Sequence, residues 1–135
     1  MLQPIRSLSD LLSRIPSYTI SLTGFAVILT LCWLPASTVQ EPNWLHIPNA
    51  DKAIHFVLFC VWAFCLQWDL VEKVKTRYKM VLIVLSAGLF TALLTELLQP
   101  VISDRTPDLL DVFADILGTM AGLLFFRSFS SKKLS

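Results

Sequence analysis

The sequence predicts an all-α, polytopic membrane protein: a bundle of four transmembrane helices with a short amphipathic helix in front. Three observations predict it. Of 135 residues, 55% are hydrophobic and only 16% charged, against roughly 25% charged in soluble domains, so too little polar surface is left to coat a water-soluble globule. The apolar residues gather into four segments, 18–34, 53–68, 80–99 and 109–126, each at or near the ~17–25 residues that cross a hydrocarbon core of about 30 Å. The basic residues fall outside these segments and mostly at one end of them.

Residues 1–17 come first. Ile5, Leu8, Leu12 and Ile15 recur at helical spacing among Arg6, Ser7, Asp10, Ser13 and Arg14, which predicts an interfacial helix ending at Pro16. The membrane domain, 18–126, opens with the segment Tyr18 to Leu34, closed by Pro35. A run rich in proline, Pro42 to Pro48, leads to Ala53 to Trp68, the shortest segment unless Asp51 and Lys52 cap it. The charged run Asp69 to Lys79 separates this from Met80 to Gln99, and Pro100 to Pro107 provides the stop before Leu109 to Phe126. Residues 127–135 form a basic tail. Trp33, Trp44, Trp68 and Tyr78 fall near segment ends, as interfacial aromatics do, whereas Trp62 lies well inside one.

Orientation follows from the positive charges. Arg6, Arg14, Lys73, Lys75, Arg77, Lys79, Arg127, Lys132 and Lys133 are nine of the eleven basic residues, and all lie on the side that the positive-inside rule makes cytoplasmic. Both termini are therefore expected in the cytoplasm, with the loops 35–50 and 100–108 outside. A cleaved signal peptide ending near Pro35, Ala36 and Ser37 is the less favoured alternative, because it would put the basic loops on opposite sides. A net charge of +1 makes no electrostatic case for a nucleic-acid partner. Cys32, Cys60 and Cys65 are odd in number, sit within segments and have no His at ligand spacing, so they read as apolar filler rather than a disulfide or metal set.

Against this background the stretch Asp104 to Gly122, DRTPDLLDVFADILGTMAG, stands out because it carries acids into an apolar helix. A charge at the centre of a span costs roughly 2.5–3.5 kcal/mol on insertion scales. The expected topology brings two further polar motifs to the same face: Asp51, Lys52 and His55 at the start of the second segment, and Glu96 and Gln99 at the end of the third. At about 100° per residue, Asp51 and His55 share a helix face. So do Gly88, Ala92, Thr95, Glu96 and Gln99 on the third helix, and Asp108, Asp111, Asp115, Gly118 and Gly122 on the fourth. Polar and small residues turn inward in lipid, and Gly118 and Gly122 form a GxxxG packing pattern. The rise of about 1.5 Å per residue makes two layers: Asp51, Lys52, Gln99, Arg105 and Asp111 at the mouth, with His55, Glu96 and Asp115 about 6 Å deeper. Six acids, counting Asp104 and Asp108, face the cations Lys52 and Arg105. Crowded carboxylates resist joint ionisation, so a proton on one of Glu96, Asp111 and Asp115, or a bound cation, is expected.

These residues resemble the VanZ-like membrane proteins of bacteria, a family named for a protein associated with teicoplanin resistance. Asp51, Lys52, His55 and Phe56 in DKAIHF, Glu96 and Gln99 in TELLQ, and Arg105, Asp111, Gly118 and Gly122 in the acidic stretch carry the resemblance, over roughly residues 45–126. The family usually has Asn where this chain has Asp115. The resemblance implies a four-helix protein of the bacterial cell envelope, in the cytoplasmic membrane, with no established reaction.

Three functions fit the polar cluster. The favoured one is an outward-facing pocket that binds or modifies a lipid headgroup, a lipid-linked cell-wall precursor or an amphiphilic antibiotic. In it, His55 shuttles a proton with Glu96 or Asp111 as partner, Lys52 and Arg105 hold an anionic group, and Asp51, Gln99, Asp108 and Asp115 complete the binding wall. The second is a non-catalytic network that fixes helix packing, which the acid excess disfavours. The third is a small proton- or cation-coupled transporter, disfavoured by the apolar runs Leu58 to Leu66, Val81 to Leu85 and Leu123 to Phe126 on the other side. No HExxH, GxSxG, CxxC or phosphate-binding glycine loop occurs. No cofactor and no metal is expected, the ligand types being scattered over three helices. Membrane lipid is the expected partner, and oligomeric state is not legible.

Overall fold

A computed structural model describes residues 16, 18–35, 49–103 and 105–133, with side-chain surroundings up to residue 129. The predicted amphipathic helix, the loop carrying Trp44 and Pro42 to Pro48, and Asp104 lie outside the described residues. Among them every regular element is an α-helix: α1 (Thr19–Cys32), α2 (Ala50–Leu70), α3 (Arg77–Ile102) and α4 (Leu109–Lys133).

Three of these are long and apolar enough to cross a membrane: Ala50–Leu70, Arg77–Ile102 and, within α4, Leu109–Phe129. The first segment is different from its expectation. The α1 helix has 14 residues, about 21 Å at 1.5 Å per residue, short of the hydrocarbon core. Its C-terminal turn closes when Trp33 N–H donates to Leu29 O, just before Pro35.

The other helices run past their expected ends. Asp51 and Lys52 are inside the first turn of α2 rather than before it, where an acid meets the positive end of the helix dipole. Pro100 lies within α3 instead of stopping it. A proline in the last turn removes only one late amide, and Ser103 restores the end by donating both N–H and Oγ–H to Gln99 O. The α4 helix continues into the basic tail, so that the expected boundary at residue 126 has no break.

Contact is most extensive between α2 and α4; α3 packs on α4, and α1 mainly on α2. Small residues explain the central seam. A Cβ on Gly118 would strike the Phe56 carbonyl, and one on Gly122 the Cys60 carbonyl and Ala63 Cβ, so the two backbones are in direct contact. Gly88 plays the same part between α3 and Thr119 of α4. The buried core is small, with Phe59, Ala63, Val84 and Ala92 fully enclosed. Phe90, Leu97, Leu109, Phe113, Leu124 and Phe125 point outward. Such a surface would be a liability in water and is the expected one against lipid tails. Trp62 is buried in the bundle, its indole N–H donating to Ser21 O at 2.9 Å and its ring edge-on to Phe59. Trp33 likewise turns inward, donating to Thr95 O at 3.2 Å rather than to an interface.

Candidate functional site

The N-terminus of α2, the C-terminus of α3 and the N-terminus of α4 meet at one end of the bundle. Two tiers of polar side chains connect them.

The outer tier is organised by Lys52. Its ammonium has three N–H donors, and all three find carboxylates: Asp108 Oδ2 at 2.7 Å, Asp111 Oδ1 at 3.1 Å and Asp51 Oδ2 at 3.2 Å. Lys52 thus clasps α2 to the α3–α4 connection and to α4. Asp108 accepts from Lys52 and from the Leu110 amide, and both bonds hold its carboxyl below the usual carboxylate range. Asp108 also joins the tiers, because its backbone N–H donates to Glu96 Oε2 at 2.8 Å.

The inner tier is buried. His55, Glu96, Gln99 and Asp115 all have relative exposures of 4% or less, Asp115 has none, and Asp111 of the outer tier is buried beside them at 5%. His55 Nδ1 lies 2.9 Å from Asp115 Oδ1, and its Nε2 lies 4.0 Å from Cys32 Sγ. The carboxylate partner of the imidazole is therefore Asp115, not Glu96 or Asp111 as the sequence suggested. The reason is register: four residues below Asp111 on α4, Asp115 is level with His55, four residues below Asp51 on α2. Gln99 Nε2 reaches Cys32 O at 3.4 Å and Thr119 Oγ1 donates to Asp115 O at 2.9 Å.

Two oxygens in this tier are left over. Glu96 Oε1 and Asp115 Oδ2 are buried and have no hydrogen-bond donor among the described residues. Native interiors leave few such groups, because each forfeits its water without return. The imidazole of His55 and one oxygen each from Glu96 and Asp111 stand within 4.8 Å of one another. Their scatter along the sequence argued against a metal, and the fold removes that objection.

Arg105 is the exception among the expected residues. It is half-buried at this end and makes no hydrogen bond or ion pair among the described residues. The two cations expected to hold an anionic group are thus differently placed: Lys52 is saturated by three carboxylates, and Arg105 has no partner among the described residues.

Some polar contacts were not anticipated. At the opposite end of α2, Asp69 Oδ2 accepts from Ser21 N–H at 2.9 Å and Ser21 Oγ–H at 2.7 Å, and Gln67 Nε2 donates to Ala63 O and Gly122 O. Cys32, a free thiol taken for filler, closes the inner tier. A buried Gln in a span was the one signal available beforehand.

Fold and site together define an integral membrane protein of packed helices with a buried acid and imidazole cluster at one end. The sequence profile of the VanZ/LLP1 family matches residues 1–130, and the chain belongs to that family. It is 31% identical over 125 residues to an uncharacterized protein of the fission yeast Schizosaccharomyces pombe, C11E3.10, a match covering 89% of this chain and 74% of the relative. With a relative in a fungus, family membership alone does not assign the chain to a bacterial envelope. No solved structure matches.

Proposed function

We propose that the inner tier is a membrane-embedded site for a lipid headgroup, opening at the non-cytoplasmic face. The observation that carries this reading is the pair of buried carboxylate oxygens without donors, Glu96 Oε1 and Asp115 Oδ2, beside an imidazole. They are acceptors left without donors rather than closed on one another, as a network made only to hold helices would be. An acceptor-rich wall suits the ammonium of a zwitterionic headgroup, and Arg105, free of partners among the described residues, suits its phosphate. A fungal relative favours a phospholipid over a cell-wall precursor or a glycopeptide antibiotic as the common ligand.

In this reading, Asp115 orients His55 and is the group that would take part in any proton transfer through it. Lys52 is structural, since a ligand would have to displace three carboxylates to reach it. The basic residues Lys73, Lys75, Arg77, Lys79 and Arg127, at the opposite end, support a reading in which that end and both termini face the cytoplasm. The three units 1–17, 18–126 and 127–135 are then an interfacial segment, the membrane domain and a basic tail.

The test is retention of phosphatidylethanolamine by the full chain, read by native mass spectrometry after gentle detergent extraction. The wild type is expected to keep one lipid, and Glu96→Gln and Arg105→Gln to keep it at least tenfold less often. Equal retention by all three proteins would refute the site.

A further inference from the structure

We propose that His55, Glu96 and Asp111 bind one divalent first-row transition cation, Zn²⁺ or Mn²⁺, with Asp115 as the positioning residue for the imidazole. This inference does not rest on the lipid reading.

Geometry carries it. The three groups come from three different helices and still place one ligand atom each within 4.8 Å of the others. An ion bound at about 2.1 Å needs ligand atoms roughly 3–3.4 Å apart, so side-chain adjustment suffices and no helix has to move. Each group has a ligand atom to give. Glu96 spends Oε2 on the Asp108 amide and keeps Oε1, buried and without a donor. Asp111 spends Oδ1 on Lys52 and keeps Oδ2. His55 has Nδ1 against Asp115, which fixes the ring and leaves Nε2, 4.0 Å from Cys32 Sγ, as the nitrogen to turn to an ion in the tautomer that carries its proton on Nδ1. A carboxylate behind the far nitrogen of an imidazole is the arrangement that orients metal-binding histidines and raises their basicity.

Charge points the same way. Asp51, Asp108, Asp111, Glu96 and Asp115 surround a single ammonium, Lys52, and that ammonium contacts only the outer three. Among the described residues Glu96 therefore has no ammonium beside it, and Asp115 has only the His55 imidazole, in a buried site where unpaired carboxylates are costly. One dication among Glu96, Asp111 and His55 offsets this charge. One nitrogen and two carboxylate oxygens suit Zn²⁺ or Mn²⁺ better than Ca²⁺ or Mg²⁺, which take oxygen alone. With three protein ligands a further coordination position is left for water or a ligand atom, the arrangement of catalytic rather than structural sites.

The full chain, purified in detergent and stripped with a chelator, is titrated with Zn²⁺ and separately with Mn²⁺. One equivalent is expected to bind. Glu96→Gln and Asp111→Asn are expected to weaken binding at least tenfold and Asp115→Asn between about 10- and 100-fold, while Asp69→Asn at the other end of α2 leaves it unchanged. Should a variant fail to fold, pulsed electron paramagnetic resonance of Mn²⁺ bound to a His46→Ala chain decides: coupling to one imidazole nitrogen is expected. No uptake of either ion, equal uptake by Glu96→Gln, or bound Mn²⁺ without nitrogen coupling would each overturn the site. Metal uptake without lipid retention, or the reverse, separates this inference from the headgroup reading.

Discussion

The two ends of α2 bury polar groups in opposite ways. At the C-terminal end, Asp69 takes two hydrogen bonds from Ser21, Trp62 donates to Ser21 O, and Gln67 reaches two carbonyls. There the polar atoms are spent on holding α1 and α4 to α2. The Ser21 N–H that Asp69 accepts belongs to the first turn of α1, where amides have no partner within the helix, so this carboxylate acts as a cap supplied by another helix. At the N-terminal end the outer tier is similarly spent, on Lys52, but the inner tier keeps two buried oxygens unsatisfied. A satisfied network rigidifies a fold, and an unsatisfied one is costly until another group supplies the missing donors. The contrast, within a single helix, is between polarity spent on packing and polarity left unspent.

Lys52→Met is expected to have the largest effect on folding, because it leaves Asp111 buried beside two other acids without their ammonium. A loss of about 2 kcal/mol is expected, below the roughly 3–5 kcal/mol of a fully buried pair, since Asp51 and Asp108 stay in reach of water. Thermal unfolding in detergent reads it, and an unchanged midpoint would show that the clasp is ornamental. Asp69→Ala comes next, at about 1–2 kcal/mol, by uncapping α1 and stranding Ser21. If the two ends were equivalent, Glu96→Gln would cost as much. Instead it is expected to leave stability unchanged or raise it slightly, because the amide can still accept from Asp108 N–H while removing a like charge from Asp111 and Asp115. A clear destabilisation by Glu96→Gln would erase the distinction.

The smallest effect is that of acid. The carboxyl of Asp108 is held below its ordinary value by Lys52, so its contribution to stability is present above the unfolded-state pKa and fades as pH falls through the folded one. Melting curves of wild type and Asp108→Asn are expected to converge as the pH drops below about 4, the unperturbed aspartate range. Curves that remain parallel from pH 7 down would show that the Lys52–Asp108 bond adds nothing.

The chain's own pattern determined that it is helical and apolar, where its long helices run, and which faces carry acids and glycines. Those properties depend on local composition and on a period of 3.6 residues, both readable along one strand of text. The Lys52 cluster was legible for the same reason: helix direction alternates, so residues at the start of α2, the end of α3 and the start of α4 share an end. Pairing within that cluster was not legible. Asp115 rather than Glu96 meets His55, Arg105 has no partner among the described residues where Lys52 has three, and Cys32 lies against the imidazole, because each depends on the axial offset and rotation of one helix against another. That offset is set by contacts such as Gly118 on the Phe56 carbonyl and Gly122 on that of Cys60. Only packing fixes it, since a shift of one helical turn, about 5.4 Å, would leave every sequence pattern intact and exchange every partner.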